Sequence, residues 1–328
     1  MSAKQLDQVA QATKTAFVFP GQGSQKVGML AELAEQFASV EATFAEASKA
    51  VGFDLWHIAQ SGEGLDQTEF TQPVLLTASI ALWRVWLELG GVVPKYLAGH
   101  SLGEYSALVA AGSLSLGDAV KLVNLRGKLM QSAVPQGKGA MAAILGLDDA
   151  QVVALCQQVS SQAEGSVEAA NYNAQGQVVI AGEKAAVEAV MALAKENSGK
   201  AIALPVSVPS HCSLMKPAAE QFAEALEQTA IELPSIPVIQ NVGAEIATDV
   251  AQVRQALTAQ LYESVQWTKT MQFIQDQGIQ YVAECGPGNV LANLAKRLPN
   301  IEKAFPLDSK SRLEDALNAI LVAEGKIA

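Results

Sequence analysis

The chain has 328 residues, with 22 Lys and Arg against 33 Asp and Glu, and so a formal net charge of −11. Half of it is hydrophobic and 17% is charged, against roughly 25% charged in an ordinary globular protein, which excludes low-hydrophobicity disorder. Acidity without a Lys/Arg stripe excludes a general nucleic-acid binder, and no apolar run reaches the roughly 20 residues of a membrane span.

In chain order, Met1 to Thr15 is polar, without the apolar core of a secretory signal. Thr15–Phe19 is a β-branched and aromatic run ending at Pro20-Gly21, which predicts a buried strand and a loop. Helical patterning runs from Met29 to Gln60. The stretch from Thr71 to Leu89 is apolar on more than one face, as in a helix buried on most sides, with Pro73 expected in its first turn. A second strand is expected at Tyr96–Gly99, then a small-residue helix from Leu102 to Ala111 closed by Gly112. An amphipathic helix follows from Leu116 to Gln131. This alternation predicts an α/β fold with a mostly parallel sheet.

The middle of the chain reads differently. A strand at 140–145 is followed by a helix at 148–159 with Asp148 as its N-cap. Strands at 167–173 and 177–181 flank the hairpin signal Ala174-Gln175-Gly176. A helix at 183–197 and a strand at 201–204 complete the order β-α-β-β-α-β, which is ferredoxin-like. We therefore expect a subdomain over residues 137–207, inserted into a core made of residues 1–136 and 208–328. The α/β rhythm then resumes: a helix at 214–226, a strand at Val238–Ile239, helices from Asp249 and Trp267, a strand at 280–283, and helices at 289–298 and 313–322.

Gly99-His100-Ser101-Leu102-Gly103 matches G-x-S-x-G between a predicted strand and a predicted helix, the context of a nucleophile elbow. The glycines permit a sharp turn that exposes the serine, and the following helix places free N–H groups beside a developing oxyanion. Ser101 is thus the candidate nucleophile and needs a base. Only three histidines exist. His100 is adjacent to the serine and points elsewhere, and His57 lies among apolar residues, as a core or surface histidine would. His211, between a strand and a helix, is left as the base. Cys212 sits beside it, but consecutive side chains diverge. Cys156, Cys212 and Cys285 are scattered, with neither a disulfide framework nor metal-ligand spacing. Pro20-Gly21-Gln22-Gly23 has glycines that allow close backbone approach to a ligand, though G-x-G alone is weak evidence. Arg126 and Met130 share one face of an otherwise apolar helix. Sequence physics leaves Arg126 equally a snorkelling side chain or a clamp for a carboxylate.

Nine segments then resemble, in order, the malonyl-CoA:acyl carrier protein transacylases of type II fatty acid synthesis. They are FPGQGSQ (Phe19–Gln25), GHSLGEYSAL (Gly99–Leu108), RGKLMQ (Arg126–Gln131), GAMAAILG (Gly139–Gly146), NYNAQGQVVIAG (Asn171–Gly182), VPSHCSLM (Val208–Met215), NVGA (Asn241–Ala244), VQWTKTM (Val265–Met271) and ECGPGNVL (Glu284–Leu291). The resemblance implies a hydrolase-like α/β core with a ferredoxin-like insertion, and against it the first ~14 residues look like an N-terminal extension. It implies Ser101 as acyl acceptor, His211 as base, the Gln22 and Leu102 amides as oxyanion hole, and Arg126 as carboxylate binder. It adds supporting roles for His100, Met130 and Asn171, and a histidine oriented by the main-chain carbonyl of Gln266 in place of a triad acid. The implied substrate is malonyl-CoA and the partner is acyl carrier protein with its phosphopantetheine thiol. No metal or bound cofactor is implied, and a cytoplasmic monomer is expected. Because such carriers are acidic, a local basic patch is needed, for which Lys296-Arg297 and Lys310/Arg312 are the candidates.

Overall fold

A computed structural model describes residues 13–162, 165–206 and 208–327; the expected N-terminal extension lies, up to residue 12, outside the described residues. Five strands, β1 (Thr15–Phe19), β2 (Tyr96–Gly99), β7 (Val238–Ile239), β8 (Tyr281–Glu284) and β9 (Lys303–Pro306), form one sheet in the order β7-β2-β1-β8-β9. Every pairing in it is parallel. All five β1 residues are buried. Alternate β1 side chains enter opposite cores, as expected of a strand covered on both faces. Phe17 and Phe19 join a cluster with Trp83, Trp86 and Tyr105, and Ala16 and Val18 join Trp267, Met271 and Leu291 on the other side. The Phe17 ring meets those of Trp86 and Trp83 edge-on at 5.0 and 5.5 Å.

The helical stretch after residue 29 is three helices, Ala31–Ala34, Ala38–Val51 and Leu55–Ser61. The second and third end on Gly52 and Gly62, each in the left-handed conformation with its N–H returned to the last turn. The long buried helix runs from Thr68 to Glu88, so Pro73 sits in its second turn rather than its first. Pro73 cannot donate to the Glu69 carbonyl. The Asn124 side-chain amide takes that carbonyl instead, at 2.8 Å. Asn124 lies on helix Leu116–Ala133, whose Gly127 would bring a Cβ to 2.7 Å of the Thr68 carbonyl oxygen. That close approach sets Arg126 against the middle of the molecule. The short strand β9 escapes the sequence reading because it is a four-residue edge strand ending in proline.

The second sheet is antiparallel and uses β3 (Gly139–Leu145), β4 (Val167–Ala174), β5 (Gln177–Glu183) and β6 (Lys200–Ala203) in the order β4-β5-β3-β6. This is the ferredoxin-like arrangement. Helix Asp149–Ser161 opens with a full capping box from Asp148 and Gln151. It and helix Lys184–Glu196 pack on one sheet face through Ala142, Ile144, Val178 and Ile180. The alternate residues Met141, Ala143, Val179 and Ala181 face the other way, with Cys212, Leu204 and Val206. Strand period two thus builds a small core on one side and an apolar roof on the other.

Candidate active site

Between that roof and the carboxyl ends of β1 and β2 lies a cavity of about 330 Å³. Ser101 follows β2 and holds φ at 52°, in the left-handed region that non-glycine residues rarely occupy. The two motif glycines are sterically required. A Cβ at Gly99 would fall 1.8 Å from the Gly103 carbonyl carbon, and one at Gly103 would fall 2.0 Å from the Phe19 carbonyl oxygen. The elbow is clamped from the side by Asn241, two residues beyond β7. Its Oδ1 accepts from Ser101 N–H at 2.7 Å and its amide donates to the Gly99 carbonyl at 2.6 Å.

Ser101 Oγ lies 2.7 Å from His211 Nε2. His211 Nδ1 lies 2.7 Å from the main-chain oxygen of Gln260. A carbonyl only accepts, so Nδ1 carries the proton and Nε2 is free to take one from the serine. Burial first, and the Arg126 charge second, lower the His211 pKa to about 3, which keeps the imidazole neutral. The orienting carbonyl is therefore that of Gln260, not Gln266. Gln260 caps the end of helix Val250–Ala259, where a terminal carbonyl lacks a helical partner. Gln266 begins the next helix, and its carbonyl already accepts from the Thr270 N–H at 2.9 Å.

Arg126 is 1% exposed and does not snorkel. Nη1 donates to Gln72 Oε1 at 2.9 Å, and Nη2 to Gln260 Oε1 at 3.0 Å and to Ser101 Oγ at 3.2 Å. Its Nε has no partner among the described residues. The guanidinium carbon stands 5.5 Å over the Tyr105 ring. Desolvation works against its charge, while Tyr105 and Glu104 favour it.

The remaining expected residues line the same cavity: Gln22, His100, Leu102, Met130 and Asn171. Among the described residues neither the Gln22 nor the Leu102 main-chain N–H has an acceptor. His100 Nε2 pairs at 2.7 Å with Asn173 Oδ1, and burial lowers the His100 pKa. His57 is exposed beside Glu63 and outside the cavity. Cys212 donates to the Pro209 carbonyl, and burial raises its thiol to about 12, so it does not compete with Ser101. Sequence reasoning missed Gln72, Glu104, Asn173, Asn241 and Gln260 as site residues. Only Glu104, Asn173 and Asn241 carried a signal, by falling inside quoted motifs. No cluster of three His, Cys, Asp or Glu side chains suited to a metal occurs among the described residues.

Of the two candidate basic patches, Lys310 and Arg312 are already engaged with Glu314 and Asp308. Arg297 donates to Gln177, which lines the cavity along with Val290 and Leu294. Neither Lys296 nor Arg297 has an acidic partner within 4.0 Å among the described residues.

A serine–histidine pair on an elbow, with a buried arginine at the same oxygen, defines an acyl-transferring site. A family model described as the acyl transferase domain matches residues 16–302. The malonyl CoA-acyl carrier protein transacylase of Salmonella typhimurium is 54% identical over 309 residues, covering 93% of this chain and 99% of its own. That of Bacillus subtilis is 43% identical, covering 94% and 98%. The crystal structure of FabD from Acinetobacter baumannii superposes with a TM-score of 0.94 at 84% identity, covering 95% of this chain and 99% of that one. The chain belongs to the malonyl CoA-acyl carrier protein transacylase family.

Proposed function

We propose that the protein transfers the malonyl group of malonyl-CoA to the phosphopantetheine thiol of acyl carrier protein through a malonyl ester on Ser101. One observation carries this reading. Ser101 Oγ stands between a neutral imidazole at 2.7 Å and a buried guanidinium at 3.2 Å, so nucleophile, base and carboxylate binder meet at one atom. His211 Nε2 takes the hydroxyl proton as Oγ attacks the thioester carbonyl. The oxyanion is held by the Gln22 and Leu102 amides. The carbon–sulfur bond then breaks, and coenzyme A leaves with the proton from His211. In the second half the carrier thiol gives its proton to His211, its sulfur attacks the ester, and Ser101 Oγ leaves and recovers the proton. Arg126 pairs with the free malonyl carboxylate through two parallel N–H donors.

In this reading residues 137–207 form one inserted subdomain whose inner sheet face excludes water from the ester through Met141, Ala143, Val179, Leu204 and Val206. Residues 1–136 and 208–328 carry the catalytic pair. His100, Met130 and Asn171 support the acyl group. Arg297, which donates to the cavity-lining Gln177, and its neighbour Lys296 receive the acidic carrier; a related transacylase has been solved in complex with a type II polyketide acyl-carrier protein. The scheme uses no metal or bound cofactor and suits a cytoplasmic monomer. Incubation with malonyl-CoA followed by intact mass measurement tests it. A gain of one malonyl group, discharged by carrier protein and absent in Ser101→Ala, is expected. Turnover to free malonate with no carrier-dependent discharge would make the protein a hydrolase instead.

A further inference from the structure

Glu104 is an acid placed one turn beyond the nucleophile, 1% exposed, with no part in the steps above. Its Oε2 accepts from the Asn241 N–H at 3.1 Å and from the Gln260 side-chain amide at 2.7 Å. The same Gln260 nitrogen donates to the Ser101 carbonyl at 3.0 Å, while Gln260 Oε1 accepts from Arg126 Nη2 at 3.0 Å. An amide can point either way in a symmetrical site, but this site is not symmetrical. The guanidinium only donates, whereas a carboxylate and a carbonyl only accept, so one orientation of Gln260 satisfies all three neighbours. Reversing it would set an NH₂ against the guanidinium and an oxygen against the carboxylate.

We propose that Glu104 is a positioning residue for acyl selectivity: it sets the direction of the Gln260 amide, which in turn holds the Arg126 fork toward a carboxylated acyl group. Glu104 touches neither substrate nor the reacting atoms. With Nη1 anchored by Gln72 and Nη2 by Gln260, the second hydrogen of each nitrogen faces the cavity, that of Nη2 meeting Ser101 Oγ at 3.2 Å until a carboxylate takes it. Because the guanidinium N–H bonds lie in its plane, the two anchors orient the fork, and a carboxylate needs that plane to accept two bonds. Burial raises the Glu104 carboxyl to about 7, opposed by its bonds to Asn241 and Gln260 and by the Arg126 charge. An acid retained at such a cost, beside the nucleophile, is consistent with a directional role.

The proposal rests on the carboxylate-binding reading of Arg126, and its test separates the two. The readout is the ratio of kcat/KM for malonyl-CoA to that for acetyl-CoA, with carrier protein as acceptor. Glu104→Leu frees the amide to turn and is expected to lower the ratio about tenfold, the worth of one charge-assisted bond. Glu104→Gln keeps an oxygen acceptor at the same place and is expected to hold the ratio within about threefold. Gln260→Met removes the anchor directly while leaving the main-chain carbonyl on His211. It is expected to repeat the tenfold fall, which keeps the test alive if Glu104→Leu does not fold. Equal losses for both acyl groups in Glu104→Leu and Gln260→Met would overturn the proposal, as would a fall in Glu104→Gln as large as in Glu104→Leu. Wild-type enzyme without malonyl preference would remove the Arg126 reading and this one together. A wild-type preference that Glu104→Leu and Gln260→Met leave intact would remove this one alone.

Discussion

Replacing Arg126 by methionine, a flexible side chain of similar reach, tests the chemistry assigned to the guanidinium. Two of its hydrogens are committed to Gln72 and Gln260, and a third meets Ser101 Oγ at 3.2 Å. An incoming carboxylate can take the free hydrogen on Nη1 and, on Nη2, the hydrogen that otherwise meets Ser101 Oγ. Two charge-assisted bonds at about 1.5–3 kcal/mol each amount to about 3–6 kcal/mol. At 1.36 kcal/mol per factor of ten this is a loss of roughly 10²- to 10⁴-fold in kcat/KM for malonyl-CoA. With acetyl, which brings no carboxylate, the contact to Ser101 Oγ stays in place, and its removal costs about 1 kcal/mol, roughly fivefold. The variant also leaves the Gln72 and Gln260 oxygens without their donor, at about 1–3 kcal/mol each of stability. Glu104 loses the cation that favours its charge, and a carboxyl already raised to about 7 responds by taking up a proton. The assay is transfer to carrier protein from each thioester, with thermal unfolding followed in parallel. An unchanged malonyl-to-acetyl ratio in folded protein would refute the carboxylate role.

Gly103→Ala should abolish soluble folded enzyme or lower its melting temperature by well over 10 °C, because the added Cβ would meet the Phe19 carbonyl oxygen at 2.0 Å. Thermal unfolding reads this directly, and a wild-type melting curve would contradict the elbow geometry. The acid limb of kcat/KM for malonyl-CoA should lie below the ordinary histidine value of 6.5, since burial and the Arg126 charge lower His211 to about 3. On stability, the unfolded chain protonates His211 below 6.5 while the native site resists down to about 3. That histidine's contribution is therefore full above 6.5 and is lost as pH falls between those values. Glu104 acts with opposite sign, its contribution being lost as pH rises from 4.5 through about 7. A rate limb at or above 6.5 would remove the neutral-base assignment. Reversing both charges at Lys296 and Arg297 should raise the Michaelis constant for carrier protein several-fold and spare that for malonyl-CoA. Unchanged constants for both would discharge these residues from docking.

Much of the site was legible because its constraints are local. Gly99, Ser101 and Gly103 announce a turn whose sterics act within five residues. Asp148 and Gln151 form the capping box that their spacing permits. The resemblance located the histidine's acceptor six residues too late, at Gln266 rather than Gln260. Both are glutamines beside helix ends, and nothing in their neighbours states which carbonyl is left over.

The amino-acid sequence by itself determined the elbow with Ser101 at its turn, the alternation of strands and helices and the ferredoxin-like order. Each follows from backbone sterics or from periodicity over a few residues. Only the tertiary structure decided that Arg126 is buried at Ser101, that Asn241 clamps the elbow, and that Glu104, Gln260 and Arg126 form one directed chain. Those contacts join positions far apart in the chain, 156 residues in the case of Glu104 and Gln260. The parallel register of β2 and β7 brings Asn241 beside Ser101, and the close approach at Gly127 brings Arg126 inward. A polar side chain's partner is set by which other groups are buried with it, and that is a property of the assembled core.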